Sequence, residues 1–137
     1  MSKYETAMVE TYWRRTGGAL VEEYPLTKLR PDVGRRRADA VIFLDEPTEQ
    51  LRPQTPVPLE GQRIVVVQAK TSRLGMYLLG QAFFSKLLCE RLGAASVQSV
   101  ALCGGDDAVL RPMYEQYEGC EVVVMPREEW EPALRVL

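Results

Sequence analysis

The sequence contains no histidine. That absence removes Ser-His-Asp and Cys-His nucleophilic machinery, histidine-ligated zinc and histidine general bases. Any chemistry must come from carboxylates, amides, lysines, arginines or a bound metal. Cysteine is scarce as well. Cys89, Cys103 and Cys120 are odd in number and lack metal-ligand spacing, so they read as reduced, mostly buried residues of an intracellular, cytoplasmic protein. The N-terminal stretch MSKYETAMVE has no apolar core of signal-peptide length, and no apolar run is long enough to span a membrane. There is no large charge excess: the net charge is −2, so a nucleic acid or anionic membrane must be met by a local basic patch. No internal repeat is present. The lack of a phosphate-cradling glycine loop argues against a nucleotide-binding α/β domain.

What is present is 137 residues, 46% apolar and 26% charged, the composition of one globular domain over 1–137. Residues 2–16 read as a helix, with Ser2 and Glu5 spaced as a capping box and TGG as the stop. Strands are expected over 19–26, 37–45, 62–71 and 96–103, and again in CEVVVMP. The proline-rich segment 46–61 reads as a loop or partly ordered excursion, and 75–93 as a helix. GGDD at 104–107 starts a further helix with Asp106 or Asp107 as N-cap, and 127–137 reads as a terminal helix or tail. The order α-β-β-β-α-β followed by α-β-α predicts an α/β fold, a mixed sheet flanked by helices. The apolar strand at 64–67 belongs in its centre.

Some polar residues sit on faces that should be inward. In IVVVQAKTS, strand alternation puts Gln68 and Lys70 on one face with Ile64 and Val66. A buried lysine without a partner is costly. In RADAVIFLD the same alternation puts Asp39 with Val41 and Phe43, and Ala38, Ala40 and Ile42 on the other face. Asp45 reads as the turn residue at the far end. On the first helix Met8, Val9, Tyr12 and Trp13 form a stripe that includes Glu5. Glu5 is therefore either aimed at the sheet or a first-turn cap. Glu10 falls outside the stripe and reads as a solvated partner of Arg14. Gln81 lies within the apolar stripe of Leu74, Leu78, Ala82, Ser85, Leu88, Cys89 and Leu92. Tyr114, Tyr117 and Trp130 read as packing residues. Glu5, Asp39, Gln68, Lys70 and Gln81 thus suggest one shared polar pocket, whose oxygens suit magnesium or manganese.

In element order and in these residues the chain resembles the PD-(D/E)XK nuclease superfamily, particularly its RecB-like and Holliday-junction-resolvase-like groups. Asp39 in RRADAVIF matches the aspartate of the second strand. QAK, Gln68 to Lys70, matches the acidic-x-lysine element except for its first letter. Glu5 and Gln81 match the helix glutamate and glutamine. The resemblance covers about residues 2–103 and implies a restriction-endonuclease-like core with a C-terminal α-β-α extension. It implies magnesium-dependent phosphodiester hydrolysis in DNA, with manganese as substitute. Asp39, the Gln68 amide and the Ala69 carbonyl would hold the metal, and Lys70 would position and activate water and offset charge at the phosphate. Glu5 would take an outer-shell or second-metal role, and Gln81 would orient Lys70 or touch the substrate backbone. Arg35, Arg36, Arg37 and Arg73 flank these elements in sequence and could contact phosphates; an exposed loop is the plainer reading of Arg35 and Arg36. A homodimer addressing two strands, or a place in a larger defence or repair system, is in keeping with the resemblance. The glutamine at 68 opens an alternative: a catalytically degenerate nuclease-fold domain that binds nucleic acid or a protein partner.

Overall fold

A computed structural model of the chain describes residues 1–52 and 57–136. Its elements are α1 (Lys3–Thr16), β1 (Ala19–Thr27), β2 (Arg36–Phe43), β3 (Glu49–Leu51), β4 (Arg63–Arg73), α2 (Met76–Arg91), β5 (Ser96–Gly105), α3 (Leu110–Glu115), β6 (Cys120–Val124) and α4 (Arg127–Trp130), ending in a 3-10 segment, Glu131–Val136. The strands form one six-stranded mixed sheet in the order β3-β1-β2-β4-β5-β6. β1 and β2 are antiparallel, as are β2 and β4, whereas β4, β5 and β6 run parallel. The α/β class and the sheet between helices are as expected. The segment 46–61 differs: it contributes β3, paired in parallel with β1 at the sheet edge. The rest of that loop expectation falls partly on residues 53–56, outside the described residues.

The capping box at α1 is real. The Glu5 N–H donates to Ser2 Oγ at 3.2 Å and the Ser2 N–H donates to Glu5 Oε1 at 2.9 Å, satisfying two orphan amide donors of the first turn. α1 lays Met8 and Val9 onto one face of the sheet, against Leu20, Ile42, Val67 and Leu102. On the opposite face α2 covers Val41, Phe43, Ile64 and Val66 through Cys89 and Leu88, and Ala101 and Val122 through Leu78 and Ala82. β4 is buried from Ile64 to Ala69, which makes it the central strand. Each such fully buried aliphatic side chain contributes about 1.5–3 kcal/mol over leaving it in water.

Two backbone features shape the strand ends near the candidate residues. Glu23 has φ of 52°, a conformation that a non-glycine residue rarely adopts. Past it, Tyr24 and its cross-strand neighbour Ala38 pack with Val21, Val41 and Phe43. Strict alternation, with Ala38 on the face of Ala40, is therefore broken around Asp39. At the far end of β4 the register with β5 shifts between Lys70 and Arg73. Gly104 lies so close to the Thr71 carbonyl that no Cβ fits there, so β5 follows the irregular end of β4 only with glycine at that position.

Candidate functional site

β2 and β4 pair from Phe43↔Ile64 to Ala40↔Val67 and then part. At the parting the Asp39 side chain takes the place of the next backbone partner: the Ala69 N–H donates to Asp39 Oδ2 at 2.8 Å. Asp39 is half-buried, and burial pushes its carboxyl up to about 6. The Ala69 N–H opposes the rise, the carboxylates of Glu5 and Glu23 add to it, and the N-terminal ammonium lowers it. That ammonium is bonded to Glu23 Oε1 at 2.7 Å. Asp39 thus belongs electrostatically to the α1 side of the sheet.

Gln68 faces the other way. It is 5% exposed, and its Nε2 donates to Ser85 Oγ of α2 at 2.8 Å. Lys70 follows Gln68 by alternation and is exposed, and among the described residues it makes no ion pair. Gln81 is exposed rather than inward, because α2 buries only the narrow row Leu78, Ala82, Ser85 and Cys89. The five residues therefore divide. Asp39 and Glu5 gather on the α1 side, with Glu5 already engaged as a cap. Gln68 and Gln81 share a cleft on the α2 side. Lys70 lines neither. As a ligand set for a hard cation, Asp39 and the Ala69 peptide are adjacent, but the Gln68 amide is turned away and hydrogen-bonded. Among the described residues no three of His, Cys, Asp and Glu gather as metal ligands.

The cleft on the α2 side has a volume of about 890 Å3 and lies between α2 and the start of β2. It runs into a second hollow of about 580 Å3 beneath the β1–β2 connection, the two sharing Leu26, Thr27, Val33, Leu88 and Arg91 as a common wall. Six basic residues line the combined groove: Lys28, Arg30, Arg35, Arg36, Arg37 and Arg91. Among the described residues no aspartate or glutamate lines it, although Asp32 lies in the same connection, exposed, between Arg30 and Arg35. All six are exposed, and among the described residues none forms an ion pair. The chain carries 17 Lys and Arg against 19 Asp and Glu, so this groove concentrates cations on an otherwise acidic molecule. Arg73 is not part of it; its charge reaches Asp107 instead, beyond the end of β5. The N-cap of α3 is Val109 rather than Asp106 or Asp107; Asp107 instead holds the turn ahead of it, accepting from the Val109 and Leu110 N–H groups at 3.0 and 2.8 Å.

Sequence reasoning missed a carboxyl pair, Glu10 buried and Glu22 half-buried. Glu10 is 8% exposed rather than solvated. It meets Glu22 of β1, whose carboxyl is pushed up to about 7, first by burial and then by the hydrogen bond to Glu10. Two adjacent glutamates inside the strand ALVEEYPL were the available signal, since one of them had to face a helix.

No protein family, curated protein or solved structure matches the chain.

Proposed function

We propose that the chain is a DNA-binding domain built on a restriction-endonuclease-like core, and that the basic groove between α2 and the β1–β2 connection is its binding surface. The core reading is supported by the order α1-β1-β2-β4-α2-β5, by the antiparallel β1-β2-β4 set followed by the parallel β4-β5 pair, and by Asp39 at the parting of β2 from β4. The observation that carries the binding reading is the groove itself: six cations line it and, among the described residues, no carboxylate lines it and none of the six forms an ion pair. Phosphate contacts of this kind supply most of the affinity for DNA and make it steeply salt-dependent. Titration of a labelled protein with a short DNA should shift resonances of Thr27–Arg37 and of the exposed face of α2, and leave those of α1 unchanged. Shifts confined to α1 would refute the assignment.

One observation favours a second reading, metal-dependent hydrolysis. Asp39 is a partly desolvated carboxylate raised further by Glu5 and Glu23, an arrangement that a divalent cation would relieve. Glu5, Asp39 and the Ala69 carbonyl would be the groups to hold magnesium or manganese there. Gln68 would have to leave Ser85 to join them. Magnesium-dependent nicking of plasmid DNA that is lost in Asp39→Ala would put this reading first.

A further inference from the structure

Two large aromatic side chains stand largely exposed in the groove, Phe84 touching only the edge of Phe83, at 6.1 Å between ring centroids, among the described aromatic rings. Tyr77 is 76% exposed and Phe84 is 64% exposed, both on the face of α2 that lines the cleft. Seven positions separate them, about two helical turns or roughly 10 Å along the axis. Between them lies Gly80, and a Cβ placed there would meet nothing within 4 Å. Glycine inside a helix costs about 1 kcal/mol relative to alanine, and no neighbouring side chain requires it. The helix thus presents two exposed rings flanking a bare stretch of backbone, in a cleft also lined by Arg35, Arg36 and Arg37 at the start of β2.

We infer that this face binds an unpaired strand of DNA, with Tyr77 and Phe84 as platforms for bases and Arg35, Arg36 and Arg37 on the phosphates. The inference rests on the DNA-binding reading above and narrows it from DNA in general to a single strand. The chemistry favours that occupant. A duplex hides its base faces, so exposed rings gain nothing from it, whereas a single strand offers both π-faces and charge. An acidic peptide would satisfy the arginines but leave the two exposed rings without a stacking partner. Gly80 leaves room for a sugar or base to approach the helix backbone between the rings.

The test compares a fluorescent dT20 strand with a 20-base-pair duplex by anisotropy at one salt concentration. The expected result is tighter binding of dT20. Tyr77→Ala with Phe84→Ala should weaken dT20 by tenfold or more, as loss of base stacking predicts, and change duplex binding little. Gly80→Leu should fill the floor, weaken dT20 binding and leave the protein folded. Equal or tighter binding of the duplex, or dT20 binding unchanged in these variants, overturns the single-strand inference while leaving the DNA-binding reading intact. Failure of the parent to bind either DNA sinks that reading itself. A dimer of the free protein that the aromatic variants dissolve would show a second copy to be the occupant, and would also overturn the inference.

Discussion

Replacing Asp39 by asparagine should stabilise the protein at neutral pH. The carboxyl has moved from its ordinary 3.8 to about 6, mainly through burial and the nearby carboxylates of Glu5 and Glu23. The folded state therefore holds the proton more tightly than the unfolded chain. A raised carboxyl stabilises fully below the unfolded value, and that stabilisation is lost as pH rises through the folded one. A rise of this size corresponds to about 3 kcal/mol above pH 7, and about 2 kcal/mol after allowing for partial exposure to solvent. The substituted amide keeps an oxygen to accept the Ala69 N–H and carries no charge. The expected outcome is a gain of about 2 kcal/mol at pH 7.5, seen as a urea midpoint about 1 M higher. The gap between variant and parent should shrink towards zero as pH falls from 6 to 4, where Asp39 is protonated in the parent. Urea denaturation at pH 4, 5, 6 and 7.5 on both proteins measures this, and charges elsewhere cancel in the comparison. A gap independent of pH, or a variant less stable at pH 7.5 than at pH 4 relative to the parent, would refute the electrostatic account of Asp39.

Further outcomes follow from the same geometry. Ser85→Ala removes the hydrogen-bond partner of the buried Gln68 amide, so it should cost about 1–3 kcal/mol by chemical denaturation, while Ser85→Ala with Gln68→Leu should recover most of the loss. Lys70→Ala, at an exposed position that forms no ion pair among the described residues, should change stability by no more than about 0.5 kcal/mol; a loss of several kcal/mol would reveal a partner for its ammonium. Gln68→Glu should lower the melting temperature more at pH 8 than at pH 5, because it buries a carboxyl beside Ser85. If added magnesium raises the melting temperature of that variant well beyond the parent's, the hydrolytic reading gains and the orientation assigned to Gln68 is wrong.

Much of the fold was legible because it rests on period and punctuation. The run Ile64–Val67 announced the central strand, and Ser2 with Glu5 announced the first helix. The structure bears out both. The site was less legible because its residues depend on twist and packing angle. Alternation placed Asp39 with Val41, but the unusual conformation at Glu23 and the parting of the strands turn it towards α1. The helical wheel placed Gln81 inward, but α2 meets the sheet along a narrower row. Glu10 appeared solvated because a helix pattern cannot reveal that a neighbouring strand will offer Glu22. The cations of KLRPDVGRRR were visible as a cluster; that Arg91, fifty-odd positions later, would join them required the fold.

The basic groove is the surface on which the functional reading depends, and charge reversal tests it most directly. Arg35→Glu, Arg36→Glu and Arg37→Glu lie at exposed positions and should leave the fold intact. Binding of the parent to a fluorescent DNA should weaken steeply between 50 and 200 mM salt, on the order of 10³-fold for six phosphate contacts. The triple variant should bind far more weakly at 50 mM and lose most of that salt dependence. Parent and variant binding DNA equally, with the same salt slope, would contradict the assignment of this groove.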